Sequence, residues 1–234
     1  MADSPPDDQI GLPSTGSSRA EDATGWFEPL YAAAARGGRS VPWDRHAPNQ
    51  LLTEWIQRRQ LAGDGRSAVV VGCGQGDDAA HVASVGYQMT AFDISASAIQ
   101  AARERYSDSG ITFVTADLFH LPAAWIEAFD LVIERQTVQA LPPSMREVVI
   151  AHVISLVAPG GTLFVQAVAT NEGDANEGDA NEGPPWPLTR TDIDQFATRL
   201  DPVEIVRIPA PGQPGFHRWR AEFRRPPESR SNSD

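Results

Sequence analysis

The stretch Ala68-Val69-Val70-Val71-Gly72-Cys73-Gly74-Gln75-Gly76-Asp77-Asp78 decides the fold of this chain. A short β-branched run ends in three alternating glycines, and an amphipathic segment follows at once. That order reads as buried strand, tight turn and helix N-terminus. Glycine permits φ > 0 and lets a ligand lie against main chain with no Cβ in the way. The turn also aims free N–H groups and the positive end of a helix dipole at whatever binds there. A second strand over 87–92 closes on Asp93. Its distance from the first glycine is about 20 residues, the spacing at which a carboxylate meets ribose hydroxyls in nucleotide-binding α/β units.

The dinucleotide fingerprint places its third glycine one position later. Here that position is Asp77, and Asp78 adds a second acid. Two carboxylates suit a helix start but repel a pyrophosphate lying on the same amides. The loop therefore favours an adenosine-bearing ligand without phosphates over a dinucleotide.

Strand and helix alternate on both sides of this unit. Helices are expected over 27–35 and 49–60, the latter with Leu51, Leu52, Trp55 and Ile56 at helical spacing. After the strand at 68–72 comes a helix at 77–85 stopped by Gly86, then the strand at 87–92 and a helix at 96–106 with Ser95 as N-cap. Further strands are expected at 111–114 and 129–133, then an apolar helix over 143–157 ended by Pro159-Gly160-Gly161. A fifth strand at 162–168 and closing strands at 203–208 and 216–223 follow. This alternation predicts an α/β fold with a mostly parallel sheet and helices on both faces.

Composition narrows the classes. A chain of 234 residues can form one domain with a substantial core. The expected organisation is a single domain over 23–225 between disordered tails at 1–22 and 226–234, both rich in Ser, Pro and charged residues. No apolar run reaches the ~18 residues of a membrane span. The acidic N-terminus does not read as a signal peptide, so a cytoplasmic location is expected. The net charge of −12 disfavours a nucleic-acid partner. Cys73 is the only cysteine, which excludes an intramolecular disulfide, and the five histidines fall at no metal-ligand spacing, so no metal is expected. Asn171-Glu172-Gly173-Asp174-Ala175 repeats over 176–180 and begins again at Asn181. It has nothing with which to form a core and lacks EF-hand spacing, so 171–183 reads as a flexible surface loop rather than a calcium site.

Several of these motifs together resemble class I S-adenosylmethionine-dependent methyltransferases, and the stretch from 41 to 224 resembles their thiopurine methyltransferase-like small-molecule group. The residues that carry the likeness are the loop 72–76, Asp93, Ala116-Asp117-Leu118, and the run 129–135 ending in Glu134-Arg135. Ala140-Leu141-Pro142-Pro143 with Arg146, Pro159-Gly160-Gly161, and the upstream Val41-Pro42-Trp43-Asp44 with Pro48 complete it. The resemblance implies a Rossmann-like seven-stranded sheet with the last strand antiparallel, and S-adenosyl-L-methionine as cofactor. It implies cofactor contacts from Trp43, Gly72, Cys73, Gly74, Gly76, Asp93, Ile94, Asp117, Leu118 and Glu134. Acceptor contacts are expected from Arg135 and Trp186. Val70 stands where such enzymes usually carry an acid two residues before the first glycine.

Each position also has a purely structural reading. Asp117 serves equally as a helix N-cap, and Trp43 as core between the first helices and the sheet. Glu134 and Arg135 can form a surface ion pair, and Trp186, within Pro184-Pro185-Trp186-Pro187, can belong to a rigid connector. Cys73 has no activating neighbour and reads as packing rather than as a nucleophile. The implied reaction is in-line transfer of a methyl group to S, N or O of a small molecule, with no residue standing out as a general base. A non-catalytic S-adenosylmethionine-binding regulator and an NAD(P)-dependent oxidoreductase are the alternatives.

Overall fold

The computed structural model describes residues 23–38, 40–170, 183–210, 213 and 215–228. The expected tail at 1–22, the last six residues of the tail expected at 226–234 and nearly all of the repeat segment lie outside the described residues. Seven strands form one sheet in the order β3-β2-β1-β4-β5-β7-β6. They are β1 (Ser67–Val71), β2 (Gln88–Asp93), β3 (Thr112–Thr115), β4 (Phe129–Arg135), β5 (Val157–Ala169), β6 (Asp201–Pro209) and β7 (His217–Arg224). The first five pair in parallel, and β7 runs antiparallel to both β5 and β6. This is the Rossmann-like α/β arrangement expected, including the reversed last strand.

Alternation along the central strands divides the core between two faces. Val69, Val71 and Val132 pack on one side with α5 (Arg146–Ser155) and α6 (Arg190–Gln195), through Val149, Ile150, Val153, Ile193 and Phe196. Ala68, Val70, Leu131 and Ile133 pack on the other, against α2 (Gln50–Arg59), α3 (Asp77–Ser84) and α4 (Ala96–Arg105), through Leu52, Trp55, Val82 and Ile99. The remaining helix, α1 (Phe27–Ala35), lies over α4.

Two boundaries differ from expectation. The apolar helix begins as a 3-10 turn at Pro143–Met145, and α5 itself ends at Ser155. Pro159-Gly160-Gly161 then falls inside β5 rather than ending a helix. The pairing with β4 shifts register between Phe129 and Leu131, and a Cβ on Gly161 would lie 2.8 Å from the Ala158 carbonyl and 2.9 Å from the Phe129 carbonyl. The short helix α6, which carries a capping box from Thr189 to Asp192, had no expected counterpart.

Candidate active site

Where the parallel strands end, the chain leaves a cavity of about 340 Å³. Its walls come from the carboxyl ends of β1, β2, β4 and β5, the segment after β3, the start of β7, and the chain from Thr24 to Ala47. Ligand crevices in open α/β sheets lie at this edge, because strand order reverses there and the loops diverge. Here the reversal falls between β1 and β4, directly beneath the glycine loop.

The loop performs two different tasks. Gly72 and Gly74 line the cavity with φ of +58° and +52°. A Cβ on Gly72 would sit 2.4 Å from Thr137 Oγ1, and one on Gly74 would sit 2.9 Å from the Tyr31 hydroxyl. Gly76 does not line the cavity. It is the left-handed N-cap of α3, and its Cβ would meet the Phe113 and Tyr106 rings at 2.9 and 3.2 Å. The third glycine is thus set by helix packing and lies off the cavity wall. Cys73 lines the wall but is buried, and burial first, then the Asp93 charge, pushes its thiol well above the ordinary value.

Asp93 closes β2 with both oxygens in use: Oδ2 accepts from the Gly74 amide and Oδ1 from the Ser95 amide, each at 2.9 Å. Burial lifts its pKa above the usual carboxylate value, against amide hydrogen bonds that favour the charged form. Ile94 and Leu118 also face the cavity. Asp117 lines it while capping the 3-10 turn Leu118–His120, accepting from the Phe119 amide at 2.9 Å and lying 2.7 Å from His120 Nδ1. The capping and wall positions coincide at this residue.

Trp43 also lines the cavity; its indole Nε1–H donates to Tyr31 Oη at 2.9 Å and its ring meets Trp26 edge-on at 5.9 Å. Two polar anchors fix this segment. Glu28 on α1 accepts from both Ser95 and Ser97 hydroxyls at 2.6 Å, and Arg105 on α4 bridges Asp44 at 3.3 Å and Asp77 at 3.1 Å. Tyr31 is held far above the ordinary phenol range by burial and then by Asp93, so its hydroxyl stays neutral.

Arg135 lines the cavity with its guanidinium Nε on Asp78, whose other oxygen accepts from the Asn49 amide at 2.7 Å. Glu134 does not line it. The alternation of β4 turns this side chain inward, where it is fully buried and accepts from the Thr137 and Val138 amides at 2.9 Å through Oε1, while Oε2 has no hydrogen-bond partner. Burial raises its pKa to about 7. Glu134 therefore shapes the turn after β4 rather than facing a ligand. Trp186 is also buried behind the wall, with its amide on the Gln139 carbonyl at 2.7 Å, while Pro184 and Pro185 form the wall itself. Arg146 holds the segment behind that wall, bonding Asp192 and the Trp186 and Pro187 carbonyls. Val70, the position usually acidic in the resembling enzymes, lies in the core and not on the wall.

Sequence reasoning missed Trp26, Phe27, Tyr31, Gln139 and Arg218, all on the wall. Phe27 and Tyr31 sit in a helix that carries no local motif, and Trp26 is its N-cap. Gln139 and Arg218 sit in segments with no local motif.

Residues 37–206 match the family described as thiopurine S-methyltransferase. The chain belongs to that family. Among relatives of this thiopurine S-methyltransferase family member, a probable thiol methyltransferase 2 of Arabidopsis thaliana is 29% identical over 147 residues, 61% of each chain. The 2-heptyl-1-hydroxyquinolin-4(1H)-one methyltransferase of Mycobacteroides abscessus is 24% identical over 87% of this chain and 91% of that protein. A solved structure of Burkholderia thailandensis 1,6-didemethyltoxoflavin-N1-methyltransferase shares the fold with a TM-score of 0.64, at 19% identity over 85% of this chain and 87% of that one. The matched stretch spans little more than half the length of the plant relatives.

Proposed function

We propose that the protein is an S-adenosyl-L-methionine-dependent methyltransferase acting on a heteroatom of a small molecule. The observation that carries this is the charge of the cavity wall: Asp44, Asp77, Asp78, Asp93 and Asp117 against Arg135 and Arg218 among the described residues. Such a wall repels phosphates and suits a nucleoside bearing sulfonium and ammonium charges. Asp93 suits the ribose hydroxyls, Gly72 and Gly74 the close backbone approach, and Asp117 with Ile94 and Leu118 the adenine. The Asp78–Arg135 pair offers one charge of each sign to the zwitterionic amino-acid end, a role that Val70 cannot take. Trp43 and Tyr31 also line the cavity, where aromatic faces favour a cation.

When bound, the cofactor supplies an electrophilic methyl group for in-line displacement. The protein's own part is to hold the acceptor in line and exclude water, since neutralising a sulfonium disperses charge and alignment contributes most. With Glu134 off the wall and Tyr31 held neutral, no obligatory general base is proposed. The relatives bear on the acceptor class: by name they act on thiols, a hydroxyquinolone and a toxoflavin precursor. Among the described residues no helix is long and apolar enough to cross a membrane, and we place the enzyme in the cytoplasm.

The test is a turnover assay with S-adenosylmethionine over aromatic thiols, phenols and ring nitrogens, read as S-adenosylhomocysteine formed. Acceptor-dependent formation is expected. Tight binding of S-adenosylhomocysteine by calorimetry with no turnover on any acceptor would favour a regulator instead.

A further inference from the structure

Along the sheet the cavity runs from Asp93 on β2, past Gly72 and Arg135, to Val168 on β5 and Arg218 on β7. Four strand spacings, or ~19 Å, separate its ends. Val168 and Arg218 pair directly across β5 and β7, so the guanidinium belongs to the wall opposite the adenosyl side. Four of the other charged groups on the wall have charged partners, since Asp44 and Asp77 take Arg105 and Asp78 and Arg135 take each other, and Asp117 lies 2.7 Å from His120 Nδ1. Asp93 takes two amides. Among the described residues of the wall, Arg218 alone is a charged side chain with neither a hydrogen bond nor an ion pair.

A half-buried guanidinium without a counter-charge is unfavourable until something supplies one. Burial, and then repulsion from Arg45 and Arg135, push Arg218 below the ordinary arginine value. Trp26, Phe27, Leu141, Pro184 and Pro185 give the same cavity aromatic and apolar wall. A guanidinium fork matches a planar carboxylate in bidentate geometry. A polyanion would meet the five wall aspartates as well, whereas a monoanion placed on Arg218 need not.

Resting on the methyl-transfer reading of this cavity, we propose that Arg218 determines acceptor specificity and that the acceptor is a flat apolar molecule carrying a carboxylate, gripped by this guanidinium away from the methylated atom. The adenosyl side fixes the cofactor, and Arg218 fixes the far end of the acceptor.

The experiment is calorimetric titration of naphthalene-2-carboxylate and naphthalene-2-carboxamide into full-length protein saturated with S-adenosylhomocysteine. The carboxylate should bind about tenfold more tightly or better, the scale of a charge-assisted hydrogen-bonded pair. Arg218→Gln should erase that preference and Arg218→Lys keep part of it, with the affinity for S-adenosylhomocysteine unchanged in both. Equal binding of the two probes, binding of neither, or an equal loss for both in Arg218→Gln overturns the proposal. Weakened S-adenosylhomocysteine binding in Arg218→Gln also overturns it, by assigning the arginine to the cofactor. Failure of the wild type to bind S-adenosylhomocysteine at all removes the methyl-transfer reading itself, and is told apart because it is seen before either probe is added.

Discussion

At the β2 end of the cavity the polar atoms are tied into the protein: Asp93 holds two amides, Asp117 holds an amide and a histidine, and the glycine backbone sits against Thr137 and Tyr31. At the β7 end Arg218 stands without a partner beside proline and aromatic walls. The first end is pre-organised, its groups fixed before any ligand arrives, which spares ordering costs on binding. The second leaves one strong interaction unmade. A scaffold that carries the same cofactor chemistry to different acceptors is expected to divide in this way, rigid where the ligand is constant and unsatisfied where it varies.

Four substitutions test that contrast, taken from the largest effect. Gly72→Ala should strike the fixed end hardest, because it adds left-handed strain to a collision 2.4 Å from Thr137 Oγ1. A loss of about 4 kcal/mol is expected, summing backbone strain and overpacking, and thermal denaturation would expose it. An unchanged melting temperature would mean that the loop is not rigid.

Glu134→Gln asks whether the turn beneath that end depends on a buried carboxyl. The folded-state pKa of about 7 lies above the ordinary glutamate value of 4.5. Its contribution to stability is therefore complete below the unfolded pKa and is lost as pH rises through about 7. The wild type should lose roughly 3 kcal/mol across that window from this group. The glutamine variant should show a flatter profile in urea unfolding measured from pH 4.5 to 8. A parallel pair of profiles would dissociate Glu134 from the effect.

Asp93→Asn leaves one oxygen where two amides now donate, and it removes the proposed ribose acceptor. Affinity for S-adenosylhomocysteine should fall about a hundredfold, or ~2.7 kcal/mol. A loss below threefold in calorimetry would take Asp93 out of the cofactor contacts. The smallest effect is expected at the Trp43 segment. Arg105→Ala removes the bridge from α4 to Asp44 and Asp77, part-exposed pairs worth about 1 kcal/mol or less each, so S-adenosylhomocysteine should dissociate only a few-fold faster in stopped flow. No change in that rate would show that Glu28 and the Trp43–Tyr31 contact hold that segment unaided.

Legibility in the sequence follows the same division. The Gly72–Asp93 unit announces itself because its constraints are local: a strand, a turn that needs positive φ, a helix start and an acid at fixed spacing. The capping position of Asp117 was legible for the same reason. Glu134 and Arg135 show where local reading stops. Adjacent residues on a strand face opposite ways, and only the packing of β4 decides that Glu134 goes inward and Arg135 to the wall. That Gly76 and Trp186 lie off the wall was equally hidden, since Phe113, Tyr106 and Gln139, which fix them, lie far away in sequence.

The sequence by itself determined the alternating α/β architecture and the glycine-loop end of the cavity, because periodicity, glycine conformations and capping act over a few residues, while the reversed last strand came with the family resemblance. Only the tertiary structure decided the opposite end of the cavity. Trp26 at the start and Arg218 near the close of the chain line one cavity through sheet order and packing, and no short-range signal records which distant side chains a folded sheet brings together.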